Sequence, residues 1–389
     1  MNANATLEPV ERSLEQAAPP EASKPELSLV DETGAPRCGL GTGFLYWSYY
    51  LARHYLFGPK YGHFGPQRLL GYQKWLEKRI EKQSERTGEI PVRPVPRIPA
   101  EHLSAEEFQR VYLTSNTPVV IEGLAKDWDS VKTWSPHWFK DNYGDYKIPV
   151  RIKADALDSS GLVIRDMSVA ELVDNLYAGG KFMGGNLEDI FNDNPHLRDA
   201  LDIPLLTKYA VSNKHAKIGS TQLFMSGPGT RSGFHCTNGI NLFVQVHGNK
   251  EWTFVNPRFS KWMYPITRKD MFYAGTLFDW KKAYEELEKD GYPLYKYVPK
   301  FQTLLQPGDV LFSPQWWWHA VNTPTPTVAV ATRTMNRFFF ANRVFSGIWL
   351  TSKEFRRLLF HTVKTGWGSD RSSGARLAFE EDFVNKTTA

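Results

Sequence analysis

Two histidines, His235 and His319, occupy the stretches of this chain best suited to holding a metal. His235 follows the small-residue turn Arg231-Ser232-Gly233 and precedes the apolar run INLFVQV. His319 follows GDVLFSPQWWW and opens another strand-like segment. Imidazole suits iron, zinc, copper and nickel. On a small barrel, inward side chains of separate strands converge even when far apart in sequence, so the pair reads as half of an Fe(II) site. Two histidines prove little alone, because most histidines are packed or solvated; His137, His215 and His247 are read that way. Other motif-like strings carry less. GLGTGF at 39–44 lacks the strand–turn–helix setting of a dinucleotide site, and GPGTRSG at 227–233 lacks the Gly-Lys-Ser/Thr of a phosphate loop. Trp316, Trp317 and Trp318 read equally as pocket lining or as core.

The elements that must position these histidines are short and β-rich. From residue 217 onward the chain runs KIGSTQLFMSGPGT, RSGFHCTN, INLFVQVHGNKEWTFVNP and, after an insertion, TLLQPGDVLFSP, WWWHAVN and TVAVATRTM. Short strands broken by Gly, Pro and Asn turns predict a small antiparallel barrel or sandwich. Upstream, Ser104 and Glu107 form a capping box for a helix starting near Ala105. TPVVIEGL then reads as a buried strand, SPHWFKDNYGD as a short helix ending at Gly144, and YKIPVRI as a strand. MSVAELVDNLYAGG reads as a helix closed by Gly-Gly.

A chain of 389 residues holds one large domain with additions, or two domains. Its 41% hydrophobic and 14% aromatic content can bury a sizeable core, which argues against disorder as a whole. Residues 1–36, rich in Glu, Ala, Pro and Ser, read as a disordered tail. Residues 37–90 read as an aromatic and basic helical extension. Within it GFLYWSYYLARHYLFG carries Arg53 and His54 and is too short to span a bilayer. It reads as a core helix, with an interfacial membrane helix as the alternative. PQRLLGYQKWLEKRIEKQSE places Leu69, Leu70, Tyr72, Trp75, Leu76 and Ile80 on one helical face. PVRPVPRIP at 91–99 reads as a proline-rich linker, 100–345 as the barrel domain, and 346–389 as a C-terminal helical segment with Phe355, Leu358 and Leu359 as its apolar face.

No apolar run is long enough for a transmembrane helix, and the start has no signal-peptide pattern. Two cysteines, Cys38 and Cys236, cannot build a disulfide framework. The expectation is a soluble, intracellular, cytoplasmic protein in which the Asn4 and Asn385 glycosylation triplets arise by chance. The net charge of +5 is concentrated in basic stretches at 53–97 and 333–364. These are either solvated surface or a docking place for an acidic partner; no nucleic-acid-binding motif accompanies them.

The run TRSGFHCTNGINLFVQVHGNKEWTFVNP, followed by LLQPGDVLFSPQWWWHAVN, resembles the JmjC/cupin-like group of Fe(II)- and 2-oxoglutarate-dependent oxygenases, and within it the small JmjC hydroxylases. TPVVIEGLAKDWDSVKTWS resembles that group's N-terminal strand–helix unit, so the resemblance covers roughly residues 100–335. It implies a mainly β fold with α: a double-stranded β-helix (cupin, jelly-roll) barrel with flanking helices. It implies His235 as the first metal histidine, His319 as the distal one, and Lys250 as the partner of the far carboxylate of 2-oxoglutarate. An ammonium there would neutralise a dicarboxylate that is otherwise costly to bury; the plain alternative is a turn lysine in HGNKEW. Asn241 matches a polar residue beside the cosubstrate, and Ser232 sits where the group often has a cosubstrate-binding Thr. Gln222 and Gln245 are weaker matches. Small JmjC enzymes often dimerise through C-terminal helices, which implies a homodimer here.

One position departs from the resemblance. The group's first ligands are His-X-Asp, whereas this chain reads His235-Cys236-Thr237. A neutral Thr hydroxyl is a poor Fe(II) ligand, and Cys236 should point to the opposite face of the strand from His235. Three outcomes follow. Water held by Thr237 fills the gap and C–H hydroxylation by a dioxygenase-type oxidoreductase survives. A halide fills the gap and the enzyme is a halogenase. Otherwise the metal site is dead and the barrel is a noncatalytic binding module. The substrate classes left open are a protein side chain, a free amino acid, a carrier-bound metabolite and a natural product.

Overall fold

Side-chain alternation along one strand decides which way the sheets face. In Ile240–His247, the residues Ile240, Leu242, Val244 and Val246 join an apolar core that also takes in helical residues. Asn241, Phe243 and Gln245 take the other face, because successive strand residues point to opposite sides. The structure, a computed structural model, describes residues 36–57, 67–84, 90, 92–152, 163–210, 218, 220–266, 273–334, 342–353 and 356.

The strands, in chain order, are β1 (Arg93–Pro94), β2 (Arg97–Pro99), β3 (Val119–Glu122), β4 (Lys147–Ile152), β5 (Val163–Ser168), β6 (Met183–Leu187), β7 (Ser220–Ser226), β8 (His235–Thr237), β9 (Ile240–His247), β10 (Lys250–Val255), β11 (Tyr273–Gly275), β12 (Phe301–Leu305), β13 (Val310–Ser313), β14 (Trp318–Asn322) and β15 (Thr327–Thr334). They form a six-stranded sheet in the order β1-β12-β10-β14-β8-β11 and a nine-stranded sheet in the order β2-β3-β13-β9-β15-β7-β6-β4-β5. This is the jelly-roll of a double-stranded β-helix with flanking helices, as the sequence resemblance implied.

Each sheet has an apolar outer layer. Leu223, Leu242, Val310 and Val330 of the larger sheet pack with Phe108, Phe139, Leu172, Phe191 and Leu206. Those residues lie on or beside helices such as Pro136–Tyr143, Val169–Tyr177 and Ile203–Ala210. Capping starts the helices Ala105–Phe108, Pro136–Tyr143 and Val169–Tyr177 where the sequence placed them. Ser104 Oγ accepts from Glu107 N, Ser135 Oγ from Trp138 N and Ser168 Oγ from Glu171 N, each at 3.1 Å. The smaller sheet is backed by a largely aromatic layer: Phe234, Cys236, Trp316, Trp318 and Phe345 share one cluster with Tyr46, Tyr50 and Ile80. The last three come from α1 (Leu40–Phe57) and α2 (Gln67–Ser84). The Gly39 N to Gln83 and Tyr49 hydroxyl to Gln73 hydrogen bonds set the two helices antiparallel.

Between the sheets, Phe243 of one meets Trp252 of the other at a ring-centroid distance of 5.0 Å. Arg97 also joins the two sheets: it pairs with Glu122 and Asp309 on one and donates to Thr303 on the other. Within the stretch 91–99, expected as a linker, Arg93–Pro94 and Arg97–Pro99 are strands, one in each sheet. β1 pairs in parallel with β12, and β2 in parallel with β3. Helix Arg343–Leu350 crosses the expected boundary at 345/346, packing Phe345 and Ile348 into the aromatic layer. Residues 1–35 of the expected tail over 1–36, both glycosylation triplets, His215 and the apolar face at Phe355, Leu358 and Leu359 lie outside the described residues. Among the described residues, no helix is long and apolar enough to cross a membrane.

Candidate metal and anion site

β14 and β8 lie side by side and antiparallel, with His319 directly opposite His235. Their ring centroids are 4.2 Å apart. Each ring is fixed in the same way. Nδ1 of His235 lies 3.0 Å from the carbonyl oxygen of Gly233, and Nδ1 of His319 lies 3.0 Å from that of Trp317. A carbonyl oxygen only accepts, so Nδ1 carries the proton on both rings and Nε2 keeps the lone pair of the neutral imidazole. A metal-binding histidine needs this tautomer, oriented by this kind of second partner. Burial holds the His235 pKa well below the usual imidazole value, and the neighbouring His319 adds to the effect. Burial, aided by the Arg333 charge, lowers His319 to about 4. Both rings are therefore neutral near pH 7. Trp252 stacks against His319 at 5.3 Å, and Phe254 stands 5.9 Å away.

Thr237 follows His235 by two positions and so shares its side of β8. Its hydroxyl donates to the carbonyl of Gly239 at 3.4 Å. Cys236, between them, turns to the aromatic layer and is fully buried there; burial pushes its thiol pKa far up. That arrangement removes it as a thiolate ligand. Among the described residues, no group of three His, Cys, Asp or Glu side chains could hold a metal. Tested against an iron centre, the residues present supply two correctly oriented imidazoles and fall short by one carboxylate.

Lys250 opens β10 and is 4% exposed. Its ammonium donates to Ser226 Oγ at 2.6 Å and to Thr323 Oγ1 at 3.3 Å, both uncharged hydroxyls. Burial lowers its pKa to about 7. A buried ammonium held only by hydroxyls is a seat for an anion, so the residues fit the distal carboxylate of a dicarboxylate. The turn before Lys250 is tightly held: the Gln245 side-chain nitrogen donates to the carbonyls of His247 and Gly248 at 2.8 and 2.9 Å.

Asn241 on β9 is the register partner of both Ser313 and Arg333. Its Oδ1 is buried without a hydrogen-bond partner. Arg333 donates from Nε to Gln222 Oε1 at 2.9 Å. Burial lowers its pKa to about 10, with Glu188 offsetting part of the effect, and its charge acts on both histidines. Ser232 is engaged differently: its hydroxyl accepts from Val321 N and its carbonyl from Trp280 Nε1, which clamps the segment before β8 onto β14. Trp316, Trp317 and Trp318 are all buried core residues. The sequence reading did not single out Ser226, Thr323, Trp252 or Arg333. Arg333 did leave a signal, as a charge in the inward phase of the otherwise small and apolar TVAVATRT. The two hydroxyls beside Lys250 left none.

The family described as the cupin-like domain matches residues 105–341, and the chain belongs to that family. Among curated proteins it resembles Jumonji C domain-containing protein 5 of Drosophila melanogaster, at 25% identity over 240 residues, 59% of this chain and 57% of that one. Lysine-specific demethylase 8 of Xenopus tropicalis is 26% identical over 228 residues, 58% of this chain and 49% of that one. The human tRNA wybutosine-synthesizing protein 5 is 26% identical over 245 residues, 59% of this chain and 73% of that one. The chain spans about half the length of the JmjC relatives it matches. The family is thus the JmjC/cupin-like one that the residues around His235 and His319 resembled.

Proposed function

We propose that this chain is an Fe(II)- and 2-oxoglutarate-dependent oxygenase that hydroxylates a C–H bond through a two-histidine metal site. One observation carries the reading. The paired, neutral imidazoles of His235 and His319 share a sheet with an ammonium, Lys250, that has no carboxylate partner among the described residues. In this reading His235 and His319 hold iron through Nε2. Lys250, Ser226 and Thr323 take the far carboxylate of 2-oxoglutarate. Asn241 stands beside the cosubstrate, and Thr237 holds water where a carboxylate would otherwise ligate. Iron held there would supply, with 2-oxoglutarate and dioxygen, the oxidation of the C–H bond, with succinate and carbon dioxide as coproducts.

The chain's own part is positioning. The Gly233 and Trp317 carbonyls fix ring orientation, and Trp252, Phe254 and Phe243 wall the site with apolar surface. Names among the relatives include lysine- and arginine-specific demethylases and a lysyl-hydroxylase. They support a protein side chain as the substrate class ahead of a free amino acid or a carrier-bound metabolite.

A second reading is favoured by Arg333, whose positive charge acts on both imidazoles. A halide drawn to that charge would occupy the place of the missing carboxylate, and the reaction would be halogenation. The test is an anaerobic titration with Fe(II) and 2-oxoglutarate, with and without chloride, followed by the visible charge-transfer band. A band supports the oxygenase, and a chloride-dependent shift moves halogenation ahead of hydroxylation. No band, with no iron retained, sinks both and leaves a noncatalytic binding barrel.

A further inference from the structure

The helix α1 buries its one charged residue and leaves several large apolar side chains outward. Its buried side carries Thr42, Tyr46, Tyr50, Arg53 and His54, including the only charged residue of the helix. Arg53 donates to Gln73 and lies 5.5 Å from the Tyr50 ring. The outward side carries Leu40, Phe44, Tyr55 and Leu56, of which Leu40, Phe44 and Leu56 are 94%, 71% and 74% exposed. The adjoining α2 adds exposed Tyr72 and Trp75, whose rings stack at 5.5 Å. Most of the exposed large apolar side chains among the described residues therefore fall on this one helical pair. Isolated exposed apolar residues need no explanation, but a concentrated patch marks an interaction surface.

Charge on α2 is sorted to match. Lys74, Lys78, Arg79 and Lys82 are exposed. Its acids turn inward: Glu77 is buried and accepts from Gln73, while Glu81 pairs with Lys296. The outward layer is thus apolar and aromatic along α1 and cationic along α2. An anionic bilayer surface complements both parts. Leucine and aromatic side chains enter the headgroup boundary, tryptophan and tyrosine favour that depth, and lysines meet the negative surface potential.

We propose that the α1–α2 hairpin is a peripheral docking face for an anionic lipid membrane. The helices lie on the surface and do not cross it, in keeping with their length and hydropathy. The inference is independent of the reaction assigned to the barrel.

The test is co-sedimentation of the full chain with phosphatidylcholine vesicles, with and without phosphatidylserine. Binding should require phosphatidylserine and weaken as salt is raised. Lys74→Ala, Lys78→Ala and Lys82→Ala should each weaken it about fivefold, and together by about a hundredfold. Phe44→Ser with Leu56→Ser should weaken it at every salt concentration. All five positions are exposed, so an unchanged thermal melt shows that the variants fold. No binding to either vesicle, or binding indifferent to these substitutions, overturns the proposal. Dimers that Phe44→Ser disperses, with no vesicle binding, overturn it in favour of a second copy of this chain.

Discussion

His235 and His319 are register partners on adjacent antiparallel strands, so the sheet itself, not a loop, sets the spacing of their rings. Sites on strands hold geometry more tightly than sites on loops. With Nδ1 of each ring donating to a backbone carbonyl, Nε2 keeps the lone pair that a metal needs. Anaerobic equilibrium dialysis with Co(II) should show binding lost in His235→Ala and equally in His319→Ala. Because His319 gains its proton only near about pH 4 and His235 also sits below its ordinary value, proton competition should begin only in acid. Metal affinity that already halves between about pH 7 and about pH 6 would contradict this.

In the proposed oxygenase, Thr237 stands where a carboxylate would complete the two histidines. Thr237→Asp should tighten Fe(II) or Co(II) binding by tenfold or more, about 1.4 kcal/mol. In the same variant, any chloride-dependent spectral shift should vanish, because the protein carboxylate takes the halide's place. Unchanged affinity would mean that Thr237 does not face the metal.

Lys250 is aimed by the turn that precedes it. Gly248 has φ +67°, and an added Cβ would come within 2.1 Å of the Pro326 carbonyl oxygen. No side chain fits there without moving backbone. Gly248→Ala should lower stability by about 2 kcal/mol or more, read as a shift in the urea midpoint. It should also weaken 2-oxoglutarate binding. A neutral effect on both would show that the turn does not position Lys250.

The parts of this architecture legible in the sequence are those written in local pattern. Alternation in INLFVQV and TVAVATRT marks the strands, and Ser104 with Glu107 marks a helix start that the hydrogen bond between them reproduces. Opposite facing of His235 and Cys236 followed from the two-residue period alone. What stayed hidden depends on pairing between distant segments. β1 and β2 look like linker because each is only two or three residues long and proline-containing. They become strands through the parallel partners β12 and β3, and proline is tolerated at such edges. Ser226 and Thr323 reach Lys250 from separate strand ends, and nothing in their own neighbourhoods announces it. The outward apolar side chains of α1 were equally invisible, since a helix with aromatic residues on every side does not reveal which side is covered.

The buried ammonium of Lys250 makes a pH-dependent prediction whose sign is fixed by its pKa, lowered to about 7 from 10.5. Between those two values the unfolded chain holds a proton that the folded protein lacks, so this group's contribution to stability rises with pH across that window. Below about pH 7 the burial penalty is fully present. Lys250→Met should therefore stabilise the ligand-free protein by a few kcal/mol at about pH 6, with the gain shrinking as pH rises toward about 10. Bound 2-oxoglutarate reverses the balance, because its carboxylate keeps the ammonium charged. Above about pH 7 binding must take up a proton, and affinity should fall about tenfold per pH unit. Anaerobic calorimetric titration of 2-oxoglutarate with Mn(II) present, between about pH 6 and about pH 9, checks the slope. In the Lys250→Met protein the slope should disappear along with most of the affinity. A flat profile in the unaltered chain would mean that the anion meets some group other than Lys250.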